Sequence, residues 1–262
     1  MSIGKALITG ASSGIGATYA DRLARRGYDL ILVARDGTRL NAIAKKLRVV
    51  TGVDIEVLPA DLTIEQDLVK IEKRLSEDDV TLLINNAGMS LHGSLLDNGP
   101  AELTRIIVLN VVAPTRLAAS AGKSFAKRGS GSIVNMASVL ALAPEMLDGV
   151  YSGTKAFLLN LSQSMTAQLK DSGVYVQAVL PGATRTEIWE RSGNDVNALP
   201  ADMVMDVNDL VDAALVGFDR REAITIPPLA DMEQFVAMTE ARYAMMPNLS
   251  RRVVAPRYRE AA

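Results

Sequence analysis

The sequence predicts an α/β protein in which a doubly wound, mostly parallel sheet of seven strands carries helices on both faces. Short apolar strands alternate with longer segments of helical periodicity through the first two-thirds of the chain. The strands are apolar throughout, which is typical of parallel strands buried on both faces. Right-handed crossovers wind such strands into one open sheet, and ligands of such sheets bind at the carboxyl ends of the strands.

The regular part of the chain begins with a short buried strand at residues 6–9 that ends in a glycine turn. A helix follows, because Ile15, Tyr19 and Leu23 recur at helical spacing, and Gly27 ends it. The same alternation predicts further strands at residues 28–34, 54–59, 81–85, 132–136 and 174–180. The helices are predicted at residues 15–26, 36–50, 64–76, 100–127 and 151–172.

The regularity lapses after Pro181. Residues 183–207 mix charged residues with Gly, Pro and Trp189, and we expect a long variable loop there. A helix, a seventh strand and a last helix are predicted at residues 208–218, 223–226 and 231–245. The basic tail, 250–262, is expected to be disordered or to lie on a partner subunit. Without a repeat or a linker, we expect one domain over residues 1–262, with residues 229–262 as a C-terminal extension.

Composition excludes several classes of protein. The 262 residues are 48% hydrophobic and 22% charged, enough for a sizeable core, and contain no cysteine for disulfides or thiolate metal sites. The net charge is −2 with both signs well mixed, so we expect no nucleic-acid partner. No apolar run approaches the length that spans a bilayer, and the N-terminus enters a strand pattern almost at once. We therefore expect a soluble, cytoplasmic protein without a membrane partner.

The turn after the first strand contains Gly10, Gly14 and Gly16 and leads directly into a helix. Such glycines allow a tight turn and close backbone approach, while the helix N-terminus offers free N–H groups to a pyrophosphate. The spacing is G-x-x-x-G-x-G rather than G-x-G-x-x-G, and a purely structural turn is the alternative. The position after the first strand favours a dinucleotide site.

The same stretch, Gly10-Ala11-Ser12-Ser13-Gly14, also matches the G-x-S-x-G pattern of serine hydrolases. That chemistry requires an acid and then a histidine downstream, but the chain has a single histidine, His92. Only nine residues precede the motif, too few to supply the usual earlier oxyanion loop. The hydrolase hypothesis is therefore rejected.

The residue type at the end of the second strand indicates whether the cofactor is NAD or NADP. An acidic residue there binds the ribose hydroxyls and repels a 2′-phosphate. This chain has Ala34 at that position, followed by Arg35, whose guanidinium can hold a phosphate through two hydrogen bonds. The alternative is an arginine on a solvated loop beside Asp36. The pattern favours NADP.

Tyr151 and Lys155 lie four residues apart at the start of a predicted helix, so their side chains share one face. Ser138 lies thirteen residues earlier, just past the end of a strand. Because the carboxyl ends of the strands form the ligand crevice, Ser138 and the glycine turn should stand at the same edge.

Together these motifs resemble those of the short-chain dehydrogenase/reductase family, of the compact single-domain type. Thr9 to Gly16 matches its T-G-x-x-x-G-x-G motif, and Asn85 to Gly88 matches its N-N-A-G motif. Pro181-Gly182, with Thr186 four residues on, matches its P-G segment. The catalytic tetrad of the family is matched by Asn110, Ser138, Tyr151 and Lys155. The matches run in order over about the first 190 residues.

The resemblance implies a Rossmann-like domain that interconverts a carbonyl and a secondary alcohol with NADP(H), by hydride transfer. Tyr151 would be the general acid in reduction and the base in oxidation. Lys155 would lower the tyrosine pKa, ordinarily about 10, and would bind the nicotinamide ribose. A unit charge about 5 Å away supplies roughly 3 kcal/mol at an effective dielectric near 20, while desolvation opposes it. Ser138 would hold the substrate oxygen, and Asn110 would order a water that carries protons to Lys155.

The motifs and the resemblance together predict a set of cofactor-binding residues. Asp61 resembles the family's adenine contact, although a helix N-cap would look the same, and Asn86 to Gly88 should pass the adenosine side or simply end a strand. Thr186 is expected to bind the carboxamide or the phosphates. The complete predicted set is Gly10, Ser12, Ser13, Gly14, Ile15, Gly16, Arg35, Asp61, Leu62, Asn86, Ala87, Gly88, Tyr151, Lys155, Pro181, Gly182 and Thr186.

The expected substrate is a small, fairly apolar carbonyl or alcohol. Its pocket is predicted from apolar side chains of two variable segments, namely Leu140, Leu142, Met146, Leu147, Ile188 and Trp189. His92 is expected at the rim or surface, and no metal-ligand spacing is present. By resemblance, the helices at 100–127 and 151–172 would pair subunits into a homodimer or homotetramer. A non-catalytic NADP-binding sensor or scaffold is the alternative function, while a longer epimerase or dehydratase would need a larger C-terminal domain.

Overall fold

The strands lie in one parallel sheet. The computed structural model describes residues 3–146 and 149–259, and across them seven strands pair in the order β3-β2-β1-β4-β5-β6-β7. Every neighbouring pair is parallel. The strands are β1 Lys5–Thr9, β2 Asp29–Ala34, β3 Ile55–Pro59, β4 Val80–Asn85, β5 Gly131–Met136, β6 Val174–Val179 and β7 Ile224–Thr225. The strand order reverses between β1 and β4, which opens a crevice there. The predicted doubly wound, Rossmann-like fold is confirmed.

Helices cover both faces of the sheet. On one face Tyr19 and Leu23 of the first helix pack with Leu40 and Val211 over the strands. On the other face Leu68 and Ile71 lie in a second buried cluster with residues of the fifth and sixth helices. The helices are α1 Gly14–Arg25, α2 Gly37–Thr51, α3 Glu65–Leu75, α4 Pro100–Ile107, α5 Ala113–Arg128, α6 Gly149–Leu169, α7 Ile188–Arg191, α8 Val207–Asp219 and α9 Glu233–Met245. Apart from the long helix at 100–127, most predicted boundaries agree with these within one to three residues.

The prediction of one uninterrupted helix over residues 100–127 is wrong at its centre. Val108–Val112 forms a π-helical turn between α4 and α5, closed by the N–H of Ala113 donating to the carbonyl of Val108. Pro114 has no N–H and cannot close a regular turn onto the carbonyl of Asn110. The widened turn holds the Asn110 side chain in the buried interior, and such turns are frequent at functional sites.

One helical stretch, Pro100–Arg128, is long and apolar enough by length and composition to cross a membrane, with a mean hydropathy of 1.2. This differs from the expectation that no apolar run approaches that length. A core helix of a globular protein meets the same criterion, and Leu117, Ala121 and Phe125 are fully buried against the sheet. The apolarity of α5 therefore serves the core on the side that faces the strands.

The chain divides into two compact units, one reaching to Pro228 and the other beginning at Leu229. The second unit contains α9 and two short turns of 3₁₀ helix. In the first unit, the predicted variable loop 183–207 contains α7 and two further 3₁₀ turns. Its two ends are joined by a parallel bridge between Thr184 and Met205. We call residues 185–204, which this bridge closes at the base, the lid loop.

Candidate active site

A cleft of about 1360 Å³ lies along the carboxyl ends of the strands. Its walls come from the segments that follow successive strands, with Gly10 after β1, Arg35 after β2 and Asp61 after β3. Ser138 follows β5 and Pro181 follows β6 on the same wall. The cleft exceeds the roughly 300–1,000 Å³ typical of one ligand pocket, so it has room for a dinucleotide and a substrate together.

Thr9 at the end of β1 ties the glycine turn to the segment after β4. Its Oγ1 accepts hydrogen bonds from the N–H groups of Asn86 and Ala87, both at 2.9 Å. The Asn86 amide donates in return to the carbonyl of Thr9 at 2.9 Å. A Cβ on Gly16 would overlap the carbonyl oxygen of Gly10, so only glycine allows this approach. Gly16 packs beneath the turn and is not among the residues that line the cleft, whereas Gly10 is.

The N-terminus of α1 opens into the cleft. Ser13 is its N-cap in extended conformation, makes no side-chain cap, and the first turn carries no acidic residue. The first helical bond runs from the N–H of Ala17 to the carbonyl of Ser13 at 3.2 Å, so the N–H groups before Ala17 have no partner within the helix. Together with the positive end of the helix dipole, these donors fit a pyrophosphate. Ser12, Ser13, Gly14 and Ile15 line the cleft beside them.

The acidic residues near the ends of β2 and β3 are held by local hydrogen bonds. Asp36 caps α2 by accepting from the N–H of Arg39 at 2.9 Å. Asp61 accepts from the N–H and the hydroxyl of Thr63 at 3.0 and 2.7 Å, and the N-cap of α3 is Ile64, so the N-cap alternative for Asp61 is wrong. Burial raises the pKa of Asp61, but these bonds and the nearby arginines outweigh it and hold the pKa below its usual range. Asp61 and Leu62 both line the cleft.

Lys155 is buried at the carboxyl end of β5, where its Nζ donates to the carbonyl of Met136 at 2.8 Å. Nζ also lies 5.6 Å from the centroid of the Tyr151 ring. A Cβ on Gly88 would lie 3.6 Å from Nζ, an ordinary contact, and 3.3 Å from Oδ1 of Asn110, which is tighter, so a side chain there would crowd the asparagine first. Because burial disfavours the ammonium ion, it lowers the pKa of Lys155 to about 8.

Tyr151 stands in the first turn of α6 and is hydrogen-bonded to the side chain of Ser138. Burial raises the pKa of Tyr151 to about 12, and the Ser138 bond lowers it only in part. The expected lowering is therefore not a property of the chain alone, because desolvation exceeds the favourable contacts. Both side chains line the cleft with Lys155, so the predicted serine, tyrosine and lysine do come together.

Asn110 lies behind the cleft wall rather than on it. Its Oδ1 accepts from the N–H of Met89 at 2.9 Å, and its Nδ2 donates to the Met89 carbonyl at 2.8 Å. Nδ2 also lies 3.2 Å from the hydroxyl of Thr154, one residue before Lys155. Asn110 thus joins the segment after β4 to α6 and fixes the surroundings of the lysine. The water relay predicted for it stays a prediction.

Many of the side chains that line the cleft are apolar. Of the predicted pocket residues, Leu140, Met146, Ile188 and Trp189 line it, while Leu142 is not among its lining residues. Leu147 lies outside the described residues. The indole N–H of Trp189 donates to the carbonyl of Thr184 at 2.9 Å, which fixes the ring at the base of the lid loop. The lid loop and the residue after it contribute four apolar residues that the sequence did not indicate, namely Leu199, Met203, Val204 and Met205.

The family model described as short chain dehydrogenase matches residues 4–197. The chain belongs to this family. A short-chain dehydrogenase from Sphingobium yanoikuyae in complex with NADPH is 53% identical, with 98% of this chain and 100% of that chain covered and a TM-score of 0.96. The bulky-bulky ketone specific alcohol dehydrogenase from Comamonas testosteroni is 49% identical, with 98% and 99% covered and a TM-score of 0.91.

Curated relatives of this dehydrogenase are more distant. The 17-beta-hydroxysteroid dehydrogenase type 3 of Homo sapiens is 32% identical over 199 residues, which are 75% of this chain and 64% of that protein. The very-long-chain 3-oxoacyl-CoA reductase of Mus musculus is 33% identical over 190 residues, 70% of this chain and 60% of that protein. The match thus spans less than two-thirds of the length of these relatives.

The dehydrogenase also has site residues that the sequence did not single out. Thr9 and Thr154 hold the glycine turn and Asn110 through the bonds described above, and Glu187 and Arg191 line the cleft from the lid loop. The sequence around Glu187 does not indicate its contact with Arg39, because the two residues are 148 positions apart. His92 is exposed, as predicted for a surface position. Among the described residues, no group of three His, Cys, Asp or Glu could hold a metal ion.

Proposed function

We propose that this short-chain dehydrogenase interconverts a ketone and a secondary alcohol with NADP(H) as hydride carrier. The observation that carries the proposal is the meeting of Ser138, Tyr151 and Lys155 at one wall of the cleft. The same cleft contains the uncapped N-terminus of α1, and Arg35 lines it at the end of β2. Acid–base groups and a dinucleotide site in one cleft support a redox reaction at a carbonyl carbon.

The chain's own residues would handle the proton and orient the substrate. Ser138 holds the carbonyl oxygen, and the Tyr151 hydroxyl donates the proton to it as the hydride arrives. The ammonium of Lys155, whose Nζ lies 5.6 Å from the centroid of the tyrosine ring, stabilises the phenolate by charge attraction and opposes the rise in the pKa of Tyr151 that burial causes. When bound, the cofactor supplies the hydride and, once oxidised, a further positive charge.

NADP is favoured over NAD by the residues at the end of β2. Ala34 provides no carboxylate for the ribose hydroxyls, and Asp36 is engaged in capping α2. Arg35 lines the cleft beside them and supplies a guanidinium for the 2′-phosphate. The NADPH complex of the Sphingobium yanoikuyae relative, 53% identical, supports the same preference.

The substrate we propose is a ketone with bulky apolar groups on both sides of the carbonyl. The size of the cleft, about 1360 Å³, and the apolar side chains of Leu140, Trp189 and Met203 support this class. Methionines among them can adapt to ligands of different shape. The description of the Comamonas testosteroni relative as bulky-bulky ketone specific points in the same direction.

We also propose a homodimer or homotetramer in the cytoplasm. Exposed apolar side chains on the helices and π turn between residues 100 and 169, namely Ile107, Val112 and Phe157, support contacts between subunits. A chain without cysteine suits a reducing compartment. Light scattering on the purified protein tests the first proposal, and cell fractionation tests the second.

A panel of carbonyl compounds tests the proposed activity. Small aliphatic ketones, large diaryl or aryl-alkyl ketones and aldehydes are each offered with NADPH and, separately, with NADH. We expect NADPH consumption, greatest with the ketones that carry two large groups, and much weaker activity with NADH. Equal turnover with NADH would contradict the cofactor preference, and preference for the smallest ketones would contradict the substrate class.

A further inference from the structure

The lid loop is joined to the β2 side of the cleft by one shared carboxylate. Oε2 of Glu187 accepts from Nη1 of Arg39 on α2 and from Nη2 of Arg191 on α7, both at 2.7 Å. Arg191 also donates to the hydroxyl of Ser13 at 3.3 Å, next to the glycine turn. Glu187 therefore connects α2 with α7, and Arg191 connects α7 with the start of α1.

This connection lies where a ribose 2′-phosphate is expected. Glu187 lines the same cleft as Ser13 and as Arg35 and Asp36, the two residues that follow β2. In dinucleotide folds this position faces the adenosine ribose, and an arginine nearby accommodates a 2′-phosphate. Arg39 lies in the first turn of α2, whose N-cap is Asp36, and its bond to Glu187 brings its guanidinium to a residue of the cleft lining.

The ion pair between Arg39 and Glu187 is exposed enough for a ligand to replace one of its partners. The Arg39 side chain is 47% exposed and that of Glu187 is 38% exposed, so both can be reached by a ligand. The guanidinium of Arg39 has five N–H donors, and one of them is bonded to Glu187. Its Nε also lies 3.9 Å from Oδ2 of Asp36. A phosphate carries more charge than a carboxylate and accepts two parallel bonds from arginine, so it competes well for this partner. Once the phosphate arrives, the Glu187 carboxylate becomes a nearby like charge.

We propose that Arg39 is a second arginine for the 2′-phosphate and that Glu187 occupies it until the phosphate displaces the carboxylate. The displacement releases the lid loop from α2. NADH has no 2′-phosphate and leaves the bond between Glu187 and Arg39 intact. The lid loop therefore distinguishes the two cofactors in addition to Arg35. This inference rests on the proposed NADP(H) function and adds a specificity residue and a lid response to it.

The chain contains its own reporter of the lid loop. Trp189 is the single tryptophan of the sequence and follows Glu187 by two residues. Its indole N–H is bonded to the carbonyl of Thr184 at the base of the loop. A change at Glu187 should therefore alter tryptophan emission, with no other tryptophan contributing to the signal.

The experiment separates the phosphate from the rest of the cofactor. Binding of NADPH to the wild-type protein is measured first by calorimetry, because failure to bind would overturn the proposed function itself. Tryptophan emission is then followed while adenosine 2′,5′-bisphosphate or ADP is added. We expect the 2′,5′-bisphosphate to shift the emission and ADP to leave it unchanged. Equal shifts with both compounds, or none with either despite NADPH binding, would overturn the inference alone.

Variants of the two bridge residues complete the test. Arg39→Gln should weaken 2′,5′-bisphosphate binding about tenfold, leave ADP binding within about twofold and abolish the emission shift. Glu187→Gln should tighten 2′,5′-bisphosphate binding about threefold and give the shifted emission without ligand. The matched controls are Arg26→Gln and Asp219→Asn, which break a similar 2.8 Å surface ion pair outside the cleft. Tight bisphosphate binding by Arg39→Gln, or wild-type behaviour of Glu187→Gln, would refute the exchange.

Discussion

Nζ of Lys155 lies 5.6 Å from the centroid of the Tyr151 ring while it donates to the carbonyl of Met136. The four-residue spacing on α6 puts both side chains on one face of the helix. The strand-end carbonyl then holds the ammonium beside the phenol before any ligand arrives. The chain thus holds a positive charge in its interior, and burying that charge lowers the free energy of unfolding by a measurable amount.

Lys155→Met should stabilise the cofactor-free protein at neutral pH while it abolishes turnover. Burial lowers the pKa of Lys155 in the folded state to about 8 from its ordinary value of 10.5, so below pH 8 the full cost of burying the charge is present. That cost is about 3 kcal/mol, and the lost bond to Met136 offsets part of it. Between pH 8 and 10.5 the Lys155 side chain is already largely neutral in the folded state. The stability gained by Lys155→Met should therefore shrink over this range and disappear at its upper end. Thermal unfolding at several pH values checks this, and a destabilised variant at neutral pH would contradict it.

The pH dependence of reduction should follow the same lysine. With the pKa of Lys155 lowered to about 8 by burial, kcat/KM for NADPH, which reports the free enzyme, should fall above about pH 8. The loss occurs because a neutral lysine no longer stabilises the phenolate. Alcohol oxidation needs the deprotonated tyrosine, whose pKa is raised by burial, so its rate should rise toward alkaline pH. Profiles in both directions check the signs, and a reduction rate that rose with pH would refute them.

Asn110→Ala should destabilise the fold and reduce activity together. The variant leaves both backbone groups of Met89 without the partners that lie 2.9 and 2.8 Å away. A buried group without a partner costs about 1–3 kcal/mol, but Met89 is half-buried and water can replace part of what is lost, so we expect a loss of about 2–4 kcal/mol in the free energy of unfolding. Thr154→Val removes one bond of Asn110, at 3.2 Å, and the bond from the Thr154 hydroxyl to the carbonyl of Tyr151, at 2.7 Å, and it should show a smaller loss in denaturant unfolding. Equal effects of the two variants would argue against this role.

Gly88→Ala should impair catalysis more than stability. The added Cβ would meet Oδ1 of Asn110 at 3.3 Å, so that side chain must move by a few tenths of an ångström, while Nζ of Lys155 at 3.6 Å would be in ordinary contact. A shift of this kind near the reacting groups is expected to lower kcat about tenfold or more. The control is Gly153→Ala on α6, which meets nothing within 4 Å and should gain up to about 1 kcal/mol of stability. Comparison of kcat with the unfolding midpoint of each variant checks the difference.

The sequence was sufficient for the sheet, the glycine turn and the meeting of Ser138, Tyr151 and Lys155 because each depends on local pattern or short spacing. The π turn at Val108–Val112 was missed although Pro114, which has no N–H to close a regular turn, lies next to it; the bond of Asn110 to Met89, 21 residues away, gives no local signal. Motif matching also assigned Gly16 to the cofactor and Asn110 to the reaction, but both lie behind the cleft wall. The Glu187–Arg39 bridge joins residues 148 positions apart, and no local feature of either residue indicates it.

The central claim is that Tyr151 transfers the proton in NADPH-dependent ketone reduction, and Tyr151→Phe tests it most directly. The substitution removes the hydroxyl and keeps the ring beside Lys155. NADPH binding by calorimetry and ketone-dependent NADPH consumption are measured for the wild type and the variant. We expect binding within about twofold and turnover lower by about 10²–10⁴-fold, the usual contribution of a general acid. Unchanged turnover in Tyr151→Phe, or NADPH binding without turnover of any ketone in the wild type, would contradict the account.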